Sequence, residues 1–155
     1  MDLSEDKQAL NLELSNLLFG RFSKKGVSVL GKIEHNKHVE YILKYLTKLR
    51  ISDNYDVQKS WLVYWGLNAL AVLGEMDELT AEDRKLLAEF VISFQDENGG
   101  FGGGQGYTAN LISIYSSILA LAILDVDEVN SRINVKGIEN FIISCRGEIP
   151  GSYQI

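Results

Sequence analysis

The chain has 155 residues, of which 46% are apolar, with a single proline and a formal net charge of −6 at pH 7. This composition predicts one folded globular domain and excludes an intrinsically disordered chain. The acidic balance, with a pI near 4.9, argues against a nucleic-acid backbone or an anionic membrane as the main partner, because both attract clustered Lys and Arg.

Apolar residues recur at helical spacing along nearly the whole chain, which predicts an all-α fold. Helices are predicted at residues 4–18, 35–50, 57–73, 81–95, 108–124 and 134–145, and the aperiodic stretch 21–31 is interpreted as a connector. Several helix ends carry signals. These are Asp56 as a cap, TAED at 80–83 as a capping box, Gly74 and Gly99 as stops, and Pro150 after the last helix.

The sequence predicts a cytoplasmic protein without a metal site of its own. Its first ten residues, MDLSEDKQAL, carry acid where a signal peptide needs positive charge and an apolar run. The single cysteine, Cys145, forms no internal disulfide, and its apolar context predicts a buried structural thiol. With only His35 and His38 as histidines, no Cys/His cluster at metal spacing can be assembled.

An offset of 51 residues superposes the second half of the chain on itself without a gap. YWGLNALAVLGEMDE falls on YSSILALAILDVDEV, and further along the same offset Phe90 meets Phe141 and Gly100 meets Gly151. This predicts an internal duplication, with repeats at about 57–106 and 108–155.

The two helices of each repeat differ in character. The first is apolar over most of its circumference and must be enclosed, whereas the second, such as AEDRKLLAEFVISF, carries its charges on one face. Stacked pairs would form two layers, with the apolar helices inside and lining a concavity. Two or three pairs cannot close a ring.

Aromatic residues stand at the start of the first inner helix, in SWLVYWGLNAL. Trp61 and Trp65 are four residues apart and face the same way, with Tyr64 on their flank, and Tyr115 lies at the same turn of the next repeat. Such rings suit a flat apolar ligand or an isoprenoid chain. The alternative is that they pack in the core.

The stretch NGGFGGGQG, residues 98–106, holds six of the fourteen glycines. It fails as a phosphate loop, because Gln105 breaks the GxGxxG pattern that starts at Gly100, the Walker A ending is missing, and no strand precedes it. We interpret it as a structural corner. Gly99 and Gly100 would stop the preceding helix, and residues 102–104 would let the backbone pass close to a neighbour.

Three segments resemble, in their order along the chain, the first part of the β subunits of protein prenyltransferases, most closely those of the farnesyltransferase type. They are WLVYWGLNALAVL, FQDENGGFGGGQG and LISIYSSILALAIL. The family repeat is a glutamine, a few polar residues, Gly-Gly-Phe-Gly-Gly and an inner helix with a leading tyrosine, here Gln95, residues 99–103 and Tyr115. The resemblance covers roughly residues 37–153. The Trp-x-x-Tyr-Trp motif adds to it, since terpene cyclases share a related glycine signature.

The resemblance implies an α/α toroid at residues 35–155, here an incomplete ring, after an N-terminal helix and connector at 1–34. It implies a funnel for farnesyl diphosphate and the C-terminal CaaX peptide of a client protein, a Zn²⁺ ion that activates the client cysteine, and a prenyltransferase α subunit as partner. The substrate-binding residues it implies are Trp61, Trp65, Tyr64, Tyr115 and Asn110.

Some positions depart from the family pattern. Asn110 stands where farnesyltransferases commonly have a histidine, and Gln58 replaces a small residue. The family's zinc ligands have no match, because Asp125, Asp127 and Cys145 do not fit the motif. We therefore expect the N-terminal half of a β subunit, inactive by itself and without catalytic or metal-binding residues.

Three alternatives stay open. The chain could be a non-catalytic helical interaction module or part of a geranylgeranyltransferase β subunit. It could also be a terpene-cyclase-like toroid, whose acidic motif would be DEN at 96–98 or DVDE at 125–128.

Overall fold

The computed structural model describes residues 34–51 and 56–154, and the described residues from Asn36 onward form one compact unit. The α-helices of these described residues are α1 (His35–Ile51), α2 (Lys59–Leu73), α3 (Ala81–Ile92), α4 (Leu111–Leu124), α5 (Asp127–Asn130) and α6 (Val135–Ser144). Turns of 3₁₀ helix at Asp56–Gln58 and Met76–Glu78 precede α2 and α3. The described ranges contain no β-strand, only isolated bridges, which confirms the all-α prediction. The predicted helix at 4–18 and the connector at 21–31 lie outside the described residues.

The helix ends agree with the sequence signals only in part. Thr80 and Asp83 form the predicted capping box of α3, and Gly74 ends α2 in the left-handed conformation, at φ 77°. The predicted cap at Asp56 is wrong, because Gln58 immediately precedes α2 and its side chain makes no capping bond. Gly99 does not stop α3, which already ends at Ile92, so its positive φ of 92° belongs to the turn beyond.

The core lies between α2, α3 and α4. Helix α4 packs against both α2 and α3, and α1 packs against α2 where Leu46 meets Gly66. Each of the three helices contributes side chains with almost no exposed surface, which are Val63, Leu67, Leu70, Leu87, Ala88, Val91, Ala120, Leu121 and Leu124. Burying these apolar groups is the main favourable contribution to the fold.

The inner helices of the two repeats, α2 and α4, are enclosed on one side only. The prediction that they must be enclosed is therefore wrong for part of their surface, because large apolar side chains remain exposed on both helices. These are Trp65 and Val72 on α2, and Ile112 and Tyr115 on α4. An apolar surface of this kind on neighbouring helices is typical of a binding surface.

The backbone follows the 51-residue offset between the repeats up to the end of the outer helices, and the offset becomes 52 residues within the turn that follows. Gly74 and Asp125 both follow an inner helix with positive φ, at 77° and 52°. After the outer helices, the bridge between Gln95 and Phe101 corresponds to the bridge between Arg146 and Tyr153, so the second turn is one residue longer. Gly151, at φ 83°, therefore corresponds to Gly99, at φ 92°. The ungapped alignment had paired it with Gly100.

Candidate functional site

Four rings meet on the exposed surface of the inner helices: Trp61, Tyr64 and Trp65 on α2, and Tyr115 on α4. We call them the aromatic cluster. The Trp61 centroid lies 5.5 Å from Trp65, 6.3 Å from Tyr64 and 6.0 Å from Tyr115, and Tyr64 lies 6.0 Å from Tyr115. These are distances of direct aromatic contact. The rings brought together are those that the sequence predicted from helical spacing and the repeat.

Two rings of the cluster are largely exposed. Trp65 and Tyr115 keep 56% and 55% of their surface accessible, whereas Trp61 and Tyr64 are half-buried. The alternative that these rings only pack in the core does not fit Trp65 and Tyr115. The cluster instead offers apolar ring surface to an incoming group.

The surroundings of Tyr64 favour its neutral phenol. A side-chain hydrogen bond with Tyr115 raises the pKa of Tyr64, and desolvation and the nearby Tyr115 charge act in the same direction. Each cause disfavours the phenolate. The Tyr64 hydroxyl is therefore neutral at neutral pH, which keeps this part of the cluster compatible with an apolar ligand.

An open groove of about 570 Å³ lies next to the cluster, at the starts of α2 and α4. Its lining consists of Val57, Gln58, Trp61, Trp65, Asn110, Ile112 and Ser113. Sequence reasoning missed Val57, Ile112 and Ser113 as lining residues. The spacing of Ile112 three positions before Tyr115 was the available signal, since residues so spaced share a helix face.

Asn110, predicted as a substrate-binding residue, lines this groove and also caps α4. Its side-chain oxygen accepts the Ser113 N–H at 2.8 Å. The backbone at Asn110 is extended, as is usual for an N-cap. Asn110 therefore fixes where α4 begins, and the cap also holds Ser113 in the groove wall.

The glycine-rich loop sets the position of the start of α2. The Gly103 carbonyl accepts the Ser60 N–H at 2.9 Å, and a Cβ on Gly103 would overlap the Val57 carbonyl group. The predicted close backbone approach is thus confirmed at this glycine. Backbone contacts of the loop therefore hold the residues at the start of α2 in place, where Val57 lines the groove.

The acidic motifs of the terpene-cyclase alternative make structural contacts. A carboxylate oxygen of Asp96 accepts the N–H groups of Asn98 and Gly100, at 2.9 and 3.1 Å. Glu128 pairs with Lys85 at 2.8 Å. Carboxylates with these partners complete a turn and join two helices, and neither lies in the groove beside the aromatic cluster.

No cluster of three or more His, Cys, Asp or Glu that could hold a metal occurs in residues 34–51 or 56–154. The zinc ion implied by the resemblance therefore has no ligand set among them. Cys145, predicted to be buried, is only half-buried, because it lies at the end of α6. Of the helices that the structure describes, none has the length and apolar character needed to cross a membrane.

Comparison with known proteins gives one family and several relatives. Residues 33–155 match the prenyltransferase α/α toroid domain. The chain is 32% identical to the protein farnesyltransferase subunit beta of Pyricularia oryzae over 124 residues, which cover 79% of the chain and 24% of the relative. For the same subunit of Schizosaccharomyces pombe the identity is 32% over 120 residues, with 77% and 30% covered.

A relative from another branch is also similar. The probable geranylgeranyl transferase type-2 subunit beta of Dictyostelium discoideum is 33% identical over 88 residues, with 56% of the chain and 25% of the relative covered. In each of these comparisons the chain spans less than a third of the relative's length.

Proposed function

The chain belongs to the prenyltransferase α/α toroid domain family, and we propose that it forms the part of a protein farnesyltransferase β subunit that contacts the isoprenoid and the client peptide. The aromatic cluster carries the proposal. Its rings lie on two neighbouring inner helices, are within 5.5 to 6.3 Å of one another, and two of them are more than half exposed. The names of the farnesyltransferase relatives support the same assignment.

The chemistry of the surface suits these ligands. A farnesyl chain is apolar and branched, so it gains most from broad ring surfaces with no nearby charge. The adjoining groove carries the side-chain amides of Gln58 and Asn110 beside Trp61 and Trp65, a mixture suited to the polar backbone and aliphatic side chains of a CaaX peptide. We propose farnesyl diphosphate and CaaX proteins as substrates and a prenyltransferase α subunit as partner.

The described residues are assigned no part in activating the client thiol, since no group of three or more His, Cys, Asp or Glu side chains is gathered among them. The compartment proposed is the cytoplasm, because a client cysteine must stay a reduced thiol in order to be prenylated and the cytosol keeps thiols reduced. By itself the chain is expected to transfer no prenyl group. Turnover of farnesyl diphosphate and a CaaX peptide with zinc, without added subunits, would contradict this expectation.

Ligand binding can be tested on the full chain through its own fluorescence. Both tryptophans of the sequence lie in the aromatic cluster, so tryptophan emission reports on this surface alone. We expect saturable quenching on titration with farnesyl diphosphate, and none with inorganic diphosphate. Tyr115→Ala should weaken binding about tenfold, because it removes a large apolar contact.

Tyr41→Ala is the matched control, since Tyr41 is an exposed tyrosine on α1 and not part of the cluster. It should bind like the wild type. Absence of saturable quenching in the wild type, or equal affinity of Tyr115→Ala, would overturn the proposal and favour a non-catalytic interaction module.

The Dictyostelium relative gives a specific reason to test a second donor. Geranylgeranyl diphosphate should be titrated under identical conditions. Tighter binding of farnesyl diphosphate supports the farnesyltransferase assignment, and tighter binding of the longer donor would transfer the assignment to a geranylgeranyltransferase.

A further inference from the structure

Tyr64 differs from the other rings of the aromatic cluster in what lies around it. It is half-buried and packs against the hydrophobic core, whereas Trp65 and Tyr115 expose more than half of their surface. The lining of the neighbouring groove includes Trp61 and Trp65 but neither tyrosine, and of the four rings only Tyr64 packs against the core. Tyr64 is therefore placed to support its neighbours more than to meet a ligand.

Tyr64 contacts two of these neighbours in a defined orientation. Its ring meets Trp61 edge-on at 62° and Tyr115 edge-on at 76°, with centroids 6.3 and 6.0 Å away. Trp61 and Tyr115 are in turn 6.0 Å apart, so the three rings form a closed triangle. An edge-to-face contact restrains the tilt of the ring that it meets, so Tyr64 restrains both of its neighbours.

We propose that Tyr64 is a positioning residue, which is anchored in the core and holds Trp61 and Tyr115 through the edge-to-face contacts of its ring. Both rings are thereby kept presented to the isoprenoid. The inference rests on the proposed function for the identity of the ligand, and it changes the role that the sequence assigned to Tyr64, from contact with substrate to orientation of the residues that make the contact.

The first arm of the test needs no ligand. A Trp65→Phe background leaves Trp61 as the single tryptophan, and acrylamide quenching then measures how freely that ring is reached. Tyr64→Leu removes the ring and its edge-to-face contacts, whereas Tyr64→Phe keeps the ring. We expect Tyr64→Leu to raise the quenching constant of Trp61, and Tyr64→Phe to leave it close to its starting value.

The second arm measures farnesyl diphosphate binding by tryptophan emission in proteins that keep both tryptophans. Tyr64→Leu should weaken binding by about two- to tenfold, because Trp61 and Tyr115 lose the ring that orients them, whereas Tyr64→Phe should bind like the wild type. Tyr41→Leu, which removes an exposed ring elsewhere, should change neither the quenching nor the affinity.

The two arms separate the possible failures. If Tyr64→Leu leaves the Trp61 quenching constant at its starting value, or if Tyr64→Phe raises it as much as Tyr64→Leu does, the positioning role is wrong. If the quenching pattern is as expected but farnesyl diphosphate does not bind, the role of Tyr64 in orienting the rings stands and the proposed function fails.

Discussion

The side chain of Gln95 is hydrogen-bonded to both backbone groups of Asn134. Its oxygen accepts the Asn134 N–H at 3.0 Å, and its nitrogen donates to the Asn134 carbonyl at 3.3 Å and to the Gly99 carbonyl at 2.9 Å. Asn134 is also the N-cap of α6, where its side-chain oxygen accepts the Gly137 N–H at 2.8 Å. One glutamine thus joins the turn after one outer helix, α3, to the N-cap residue of the next outer helix, α6.

Replacing Gln95 should therefore loosen the junction between the repeats. Gln95→Ala removes all three bonds, and we expect a loss of about 1–2 kcal/mol in the free energy of unfolding, since the freed backbone groups are partly reached by water. Urea unfolding followed by circular dichroism measures it. Gln105→Ala, in the exposed part of the glycine-rich loop, is the control and should be nearly neutral. Equal stability of the two variants would contradict the assigned role.

Gly103 should be intolerant of a side chain for a steric reason. A Cβ there would overlap the Val57 carbonyl group, so Gly103→Ala must displace the loop or the start of α2. We expect a loss of about 3 kcal/mol, at the upper end for overpacking, together with a shifted tryptophan emission because Trp61 lies on the first turns of α2.

Gly74 provides the matched comparison for that steric effect. It has a positive φ of 77° but open space around the Cβ position, so Gly74→Ala meets only conformational strain of about 1–2 kcal/mol. Its tryptophan emission should not change. A larger loss for Gly74→Ala than for Gly103→Ala would show that the contact with Val57 is not the constraint.

Asn110 should act on stability through its cap. Asn110→Ala removes the bond to the Ser113 N–H and is expected to cost about 1 kcal/mol, whereas Asn110→Ser should recover most of it, because serine also caps helices well. Asn140→Ala, on an exposed position within α6, is the control and should be neutral or slightly stabilising, since alanine favours helix. Thermal unfolding of the four proteins distinguishes these outcomes, and equal loss in the alanine and serine variants would exclude capping.

Helical periodicity predicted the longer helices well, because buried side chains recur at helical spacing over several turns of α2 and α4. It did not predict α5, since a single turn such as Asp127–Asn130 is too short to show a period. It also extended the first inner helix back to residue 57, because Val57 continues the apolar pattern although the backbone there forms a 3₁₀ turn.

The candidate site was predictable to a similar degree. The spacing of the rings on α2 and the 51-residue offset to Tyr115 predicted that these four rings lie together, and in the structure they are in contact. The bond between Gln95 and Asn134 was not predictable, because it joins residues 39 positions apart through a loop whose course no local pattern specifies. The extra residue in the second turn escaped notice for a related reason, since Gly151 matches either of two adjacent glycines.

The ion pair between Lys85 on α3 and Glu128 on α5 should make stability depend on pH in a defined range. The Lys85 ammonium lies 2.8 Å from one Glu128 oxygen and 3.1 Å from the other. The hydrogen bond with Lys85 and its positive charge lower the pKa of Glu128 below the ordinary 4.5. The same hydrogen bond and the negative charge of Glu128 raise the pKa of Lys85 above the ordinary 10.5. The stabilisation is therefore fully present between these two ordinary values, and it is lost as the pH falls through the lowered pKa of Glu128.

Glu128→Gln removes this charge while keeping the shape of the side chain. We expect the urea midpoint of the variant to lie slightly below that of the wild type at pH 7, and the gap to close as the pH is lowered below 4.5. The gap should also shrink in high salt, because both groups are exposed. Glu97→Gln, in the exposed turn after α3, is the control and should show no such gap at pH 7. A gap for Glu128→Gln that stays constant from pH 7 down to strongly acidic solution would mean that the pair with Lys85 is not its cause.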